Sequence, residues 1–250
     1  MKISELLAQG IIYPVSVIFF TVVLYGIYIT VGSQKFFHRK LLPRFMTEDE
    51  RRGQAGGVHY KRVSAFLIFG LFPLLLAKFV YRENLRQFGF SFSSTRLHPF
   101  VILTTIFAVF PVVLLSSKKA SIRGQYPEVK SALISKRSFA ISTLTYVLYY
   151  FGYEGLFRGF LLFGLRGYTG DWVATMVSMS FTTLTHVHTP ALVFIGSVSS
   201  GVIFPYLVFL SNSIWPVFVV HSLIGVGTDW LCVRARRTSV RKHLKQSLSS

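Results

Sequence analysis

Two oppositely charged residues, Glu154 and Arg158, stand four positions apart in a strongly apolar stretch at residues 150–170. A spacing of four places both side chains on one face of a helix. Charges are costly inside a bilayer, so they normally face protein or water there and indicate a functional site. The carboxyl group could act as a general base beside the cation. The same two residues could instead form a structural ion pair that locks two helices together.

Two histidines, His186 and His221, each lie inside a later apolar run. Imidazole is the usual side chain for proton transfer, metal ligation or holding a water near neutral pH. A single histidine in an apolar helix is more often a packed, hydrogen-bonded residue. Two on separate helices predict a site shared with Glu154. His188 lies closer to a helix end and to Pro190, so it is a weaker candidate.

The composition indicates a membrane protein. Of the 250 residues, 52% are hydrophobic and only 14% are charged, whereas about a quarter are charged in soluble domains. A helix of about 20 apolar residues crosses a bilayer, and several runs reach that length. We therefore predict an all-α, polytopic transmembrane helical bundle with about seven spans. The predicted spans are residues 11–32, 63–81, 99–116, 138–165, 172–189, 191–210 and 215–233.

The chain is strongly basic, with a formal net charge of +18 from 27 Lys and Arg against 9 Asp and Glu. Most basic residues lie at 33–62, 117–137 and in the C-terminal tail. The positive-inside rule explains them without nucleic acid as a partner, and anionic head groups add an attraction. We predict a protein of the plasma or inner membrane with these segments and the tail in the cytoplasm. Within the first loop, residues 53–57 (GQAGG) are expected to form a flexible linker.

We divide the chain into N-terminal transmembrane helices with basic loops at 1–136, a core carrying the polar site at 137–233, and a basic cytoplasmic tail at 234–250. A run of tyrosines precedes Glu154. It consists of Tyr146, Tyr149, Tyr150 and Tyr153. Packing or interfacial roles are favoured for all but Tyr153, which could line a polar cavity.

The segment YEGLFR, residues 153–158, resembles the first motif, EExxxR, of the CPBP family. This family contains the CAAX proteases, which are type II CAAX prenyl endopeptidases, and the bacteriocin-processing intramembrane endopeptidases. Aligned on Arg158, Glu154 takes the place of the second glutamate and Tyr153 the place of the first. The resemblance covers roughly residues 137–231 and keeps the order of the family's three motifs.

The second and third motifs are matched more loosely. The motif FxxxH corresponds to the stretch ending at His186, where Phe181 lies one residue early and Thr182 holds the motif position. The motif HxxxN corresponds to His221, with Gly225 in place of the asparagine. The resemblance implies that this asparagine would supply a hydrogen-bond donor near the developing oxyanion, and such donors are worth about a hundredfold or more in rate.

The resemblance implies hydrolysis of a peptide bond in a membrane-anchored or prenylated protein. Glu154, His186 and His221 would be the catalytic residues, supported by Arg158 and Tyr153, although the family's water-activating glutamate corresponds to Tyr153. If a divalent metal such as zinc is bound, the two histidines and Glu154 would be its ligands.

The expected partners are membrane lipid and a peptide or lipidated protein substrate. The alternative is a catalytically degenerate relative that binds a membrane peptide or acts as an immunity-type protein. A small transporter or lipid-binding protein is a third class, for which the sequence offers no paired broken helices and no charge relay.

Overall fold

The computed structural model describes residues 10–42, 50–91 and 97–248, and within these ranges every regular element is a helix. The predicted all-α helical bundle is confirmed. The α-helices are α1 (Ile12–Thr30), α2 (Gln34–Phe36), α3 (Glu50–Ala65), α4 (Phe72–Leu75), α5 (Leu97–Ser116), α6 (Ala120–Gln125), α7 (Lys136–Glu154), α8 (Gly164–Leu184), α9 (Ala191–Ser211) and α10 (Trp215–Leu248).

Segments of π-helix extend several of these α-helices. They are Phe37–Leu41, Phe66–Leu71, Leu76–Val80 and Gly155–Phe163. Two of them flank α4, which carries Pro73. A proline inside a helix lacks an N–H group and clashes with the carbonyl four residues earlier, and the wider π turns accommodate it. The nine-residue segment begins directly after Glu154, and π-helical turns occur frequently at functional sites.

The loop predicted at 33–62 is wrong for residues 34–42 and 50–62, because α2 with its π extension and α3 occupy these stretches. Residues 43–49 lie outside the described part. The GQAGG segment is part of α3 and is not a linker. A Cβ atom on Gly57 would lie 2.8 Å from Cγ of Gln34 and 2.7 Å from Nε2 of His38. The glycine therefore allows α3 to approach the preceding helix closely and does not give the segment flexibility.

Several helices are long and apolar enough to cross a membrane. Among the described residues these are Ile12–Leu41, Gly53–Val80, Ala191–Ser211 and Trp215–Thr238, with a shorter apolar helix at Ile102–Ser116. Large apolar side chains on the outside are widely exposed, including Phe107 at 85%, Trp172 at 76% and Phe79 at 70%. These features indicate an integral membrane protein. The count of seven spans, the type of membrane and the three-part division of the chain stay predictions.

The packing of α7 brings its C-terminal end to the centre of the bundle. This helix contacts α3 and the π segment that follows it on one side and α10 on another, while the Gly155–Phe163 segment packs against α8 and α9. A Cβ on Gly152 would lie 2.5 Å from the carbonyl oxygen of Ala65, so the two helices cross in backbone contact. The helix that begins at Lys136 continues through the Gly155–Phe163 segment into α8, so residues 138–165 are helical throughout, as predicted.

The gap between the spans predicted at 138–165 and 172–189 is reduced to one non-helical residue. Gly170 has a φ of 78° and a ψ of 166° inside α8, a conformation that glycine adopts readily because it has no Cβ atom. The part of α8 beyond this break carries the chain toward His186.

Candidate active site

The buried ion pair between Glu154 and Arg158 lies at the junction of α7 and the following π segment. Glu154 is 0% exposed and Arg158 is 1% exposed. Nε of Arg158 lies 3.5 Å from Oε2 of Glu154. The structure thus brings together the two charges that the four-residue spacing predicts. An unpaired charge at this depth would carry a large desolvation cost, so each residue depends on the other.

His221 completes this group from α10. Its Nδ1 lies 2.5 Å from Oε1 of Glu154. A carboxylate can only accept a hydrogen bond, so Nδ1 carries the proton and donates it. In the neutral ring Nε2 is then the nitrogen with a free lone pair, and the carboxylate fixes both the tautomer and the orientation of the ring.

His186 and Tyr153 share hydrogen-bond partners at the C-terminal end of α8. Nδ1 of His186 lies 2.8 Å from the carbonyl oxygen of Thr182 and 2.9 Å from Oγ1 of Thr185. The Tyr153 hydroxyl donates to the same carbonyl at 3.3 Å and lies 3.1 Å from Thr185 Oγ1. The Tyr153 ring meets the rings of His186 and His221 edge-on, at centroid distances of 6.2 and 5.4 Å. The two predicted histidines therefore flank one tyrosine.

A cavity of about 700 Å³ opens onto these residues. Both histidines and Tyr153 line it, and His188 does so as well, whereas Glu154 is not among the described lining residues. Glu154 therefore reaches the cavity only through His221. The walls nearby carry the ring faces and hydroxyl groups of Tyr146, Tyr149 and Tyr150, together with Tyr25, Tyr28 and Tyr126.

The hydroxyl group of Tyr150 fills the space beside Gly225, which sequence reasoning did not foresee. A Cβ atom built on Gly225 would overlap this hydroxyl and would lie 2.5 Å from Cε2 of the same ring. The Tyr150 ring lies 4.3 Å from the His221 ring, centroid to centroid. The Tyr150 hydroxyl, a hydrogen-bond donor, therefore lies where the asparagine side chain of the HxxxN motif would begin. The available signal was the spacing of four between Tyr150 and Glu154, which places both on one face of α7.

A second polar cluster, also missed from sequence, lines the other end of the cavity. The fully buried Arg62 donates to the carbonyl oxygen and Oγ of Ser142 at 2.9 and 3.0 Å, and to Glu128 at 3.1 Å. Lys61 also pairs with Glu128, and Asp229 lies 3.9 Å from Arg62. Burial alone would raise the pKa of Glu128, but the two cations outweigh it and hold the pKa below its ordinary value.

The zinc ligand set expected from sequence does not form in this arrangement. Oε1 of Glu154 is taken by Nδ1 of His221, and Nδ1 of His186 is bonded to Thr182. In the described ranges, no group of three or more His, Cys, Asp or Glu side chains is placed to hold a metal ion. Metal dependence stays a prediction, and no step below is routed through a metal.

One segment of the chain, which contains this site, matches a known protein family. Residues 135–226 match the model of the family described as type II CAAX prenyl endopeptidase Rce1-like. The matched segment contains Glu154, His186 and His221, so the family resemblance read from the motifs is confirmed there. No curated protein and no solved structure gives a significant match. Residues 135–226 are therefore similar to the CAAX-protease-like family, and the apolar helices around them indicate a membrane protein.

Proposed function

We propose that the protein is an intramembrane endopeptidase that hydrolyses a peptide bond in a membrane-anchored or prenylated protein. In this proposal His221 activates the water and Glu154 orients His221. The observation that carries it is the 2.5 Å hydrogen bond between buried Glu154 and cavity-lining His221. It is supported by the match of this segment to an endopeptidase family.

The chemistry follows from the tautomer of His221. Nε2 takes a proton from a water in the cavity, and the resulting hydroxide oxygen bonds to the carbonyl carbon of the substrate. When the C–N bond breaks, the proton passes from Nε2 to the leaving amine. Glu154 stabilises the imidazolium that forms in between, as carboxylates do in other histidine-based sites. Arg158 keeps that carboxylate ionised.

Two other side chains would act on the developing negative charge and on the substrate. The Tyr150 hydroxyl lies next to the His221 ring, where a donor would stabilise the oxyanion. Nδ1 of His186 donates to Thr182, so its other ring nitrogen is left to position a water or a substrate N–H. These roles differ from those expected from sequence, where Glu154 itself takes the proton.

The alternative function is binding without cleavage, as in a degenerate or immunity-type relative. The observation that favours it is the state of Tyr153, which stands at the family's base position. Tyr153 is 2% exposed, and its hydroxyl is engaged with Thr182 and Thr185. In that case the cavity would hold a membrane peptide, and Glu154 would serve only to join α7 to α10.

The test is cleavage of prenylated and membrane-anchored peptides by purified protein in nanodiscs, followed by mass spectrometry of the released fragment. We expect wild type to cut, and His221→Gln and Glu154→Gln to lose about a hundredfold or more in kcat with KM little changed. His188→Gln is the matched control, because His188 lines the same cavity without touching Glu154, and it should cut like wild type.

Binding measured on the same peptides separates the two functions. If wild type binds but does not cut, and Tyr153→Glu gains cleavage, the protein is a degenerate relative. If Glu154→Gln cuts as fast as wild type, the proposed role of Glu154 is wrong. Dialysis against a chelator, with activity and metal content measured together, tests the expected zinc.

We further propose that the basic segments and the C-terminal tail lie in the cytoplasm, in the plasma or inner membrane. The charge distribution supports this orientation. Labelling of single cysteines from either side of the membrane, in a Cys232→Ser background, tests it, and labelling of a tail cysteine from outside would contradict it.

A further inference from the structure

A basic pocket and an apolar groove share a wall along α10, and neither is lined by His221. The pocket has a volume of about 490 Å³ and the groove about 320 Å³. Phe139 and Trp230 line both. The remaining residues that line the pocket are Lys136, Val233, Arg234, Arg237 and Thr238. One continuous depression therefore runs from basic to apolar surroundings.

The pocket concentrates positive charge. Three of its seven described lining residues are the cations Lys136, Arg234 and Arg237, and no carboxylate is among these seven. None of the three takes part in an ion pair among the described residues. The guanidinium of Arg237 donates to the carbonyl oxygen of Leu133 at 3.0 Å, which fixes its position but leaves its charge uncompensated. Such a pocket selects an anion.

The groove selects a hydrocarbon chain. It lies between α5, α7 and α10, and apart from Thr143 and Gly227 its lining side chains are wholly apolar. Phe110 in its wall is 54% exposed and Leu223 is 48% exposed. In a bundle that crosses a bilayer, an open apolar groove of this kind faces lipid. Trp230, at the junction, has the ring type that concentrates at head-group level in membranes.

We propose that this depression is a binding site for an anionic phospholipid, with the phosphate at the three cations and one acyl chain in the groove. Charge complementarity and the direct continuity of the two surfaces carry the assignment. Basic pockets between transmembrane helices on the cytoplasmic side bind anionic head groups. The site is separate from the proposed active site, and its test does not depend on peptide cleavage.

Trp230 provides the reporter. The sequence holds three tryptophans, so a Trp172→Phe/Trp215→Phe background leaves only Trp230. In nanodiscs, phosphatidylglycerol brominated on its acyl chains should quench Trp230 at a several-fold lower mole fraction than phosphatidylcholine brominated in the same way. Soluble glycerophosphate should not displace it, because the acyl chain contributes to binding.

Two charge variants make the test specific. Lys136→Gln/Arg234→Gln should abolish the preference for phosphatidylglycerol. Lys118→Gln/Lys119→Gln removes the same charge from an exposed pair outside the pocket and should keep the preference. Equal quenching by the two lipids would overturn the proposal. An equal loss of the phosphatidylglycerol preference in both double variants would also overturn it, because the lipid would then be attracted by the overall positive charge and not by this pocket. Native mass spectrometry of the protein with all three tryptophans, counting retained phosphatidylglycerol, gives the same comparison if the Trp-reduced background folds poorly.

Discussion

Replacing Gly225 by alanine tests whether the Tyr150 hydroxyl occupies the space beside α10. The added Cβ would fall 2.5 Å from Cε2 and 2.7 Å from Cζ of the Tyr150 ring. The ring has little room to withdraw, because it is 6% exposed. It is stacked on Tyr146 at 4.7 Å and tilted against His221 at 4.3 Å. We therefore expect a destabilising substitution that also disturbs the His221 ring.

The magnitude follows from two opposing effects. Forcing an extra methyl group into a packed site costs about 1–3 kcal/mol. Glycine to alanine inside a helix by itself stabilises by roughly 0.5–1 kcal/mol. Gly227→Ala is the matched control, since it lies two residues further along α10 and its Cβ would meet nothing within 4 Å. The helix contribution cancels between the two variants, so Gly225→Ala should be about 1–3 kcal/mol less stable than Gly227→Ala.

Thermal unfolding in a mild detergent measures the difference. For a chain of this size 1 kcal/mol corresponds to about 2–4 °C in Tm, so the two variants should differ by roughly 2–12 °C. In a Tyr150→Ala background the gap should close, because the colliding ring is gone. If Gly225→Ala raises Tm as much as Gly227→Ala does, the ring does not lie against Gly225, and the proposed oxyanion role of Tyr150 loses its basis.

Two further predictions concern packing and pH. Gly152→Ala would push a Cβ to 2.5 Å from a backbone oxygen of α3. Since backbone cannot withdraw easily, the substitution should cost about 3 kcal/mol, the upper part of the usual range for overpacking, and lower the yield of folded protein. Gly167→Ala, with open space around it, should be tolerated. Because Lys61 and Arg62 hold the pKa of Glu128 below its ordinary value of 4.5, the stability Glu128 contributes is present above about pH 4.5 and is lost as the pH falls through the lower folded pKa. Glu128→Gln should therefore lower Tm at pH 7 and have a shrinking effect toward pH 3; a constant difference across that range would contradict this assignment.

The helices that carry the site could be predicted because they are long, continuous apolar runs. Residues 138–165 are helical as predicted, and the four-residue spacing of Glu154 and Arg158 correctly placed them side by side. Glycine was harder to interpret. In α3, glycine permits two helices to touch. A single sequence does not distinguish a glycine needed for close helix packing from one that makes the chain flexible, because both depend on the missing side chain.

Contacts between distant segments could not be predicted from spacing. Arg62 and Glu128 are 66 positions apart, and only the packing of α3 against the segment after α6 brings them together. Likewise, Tyr150 was read as a packing residue, because nothing in its own neighbourhood shows that α10 presents a glycine to it. The sequence predicts a site shared by both histidines and Glu154. That Glu154 bonds to His221 while His186 bonds to Thr182 depends on the rotation of each helix.

In the proposed hydrolysis, the cavity between the Arg62–Glu128 cluster and the histidines would also determine where water enters. Hydrolysis consumes one water for each bond, and the hydrocarbon core of a bilayer holds almost none. The cavity reaches the surface at the exposed Gly124 and Gln125 and continues inward past tyrosine hydroxyls to His221. Water would thus arrive from the aqueous phase while a lipid-anchored chain arrives sideways from the membrane. Under osmotic stress turnover should slow even when the membrane is saturated with substrate.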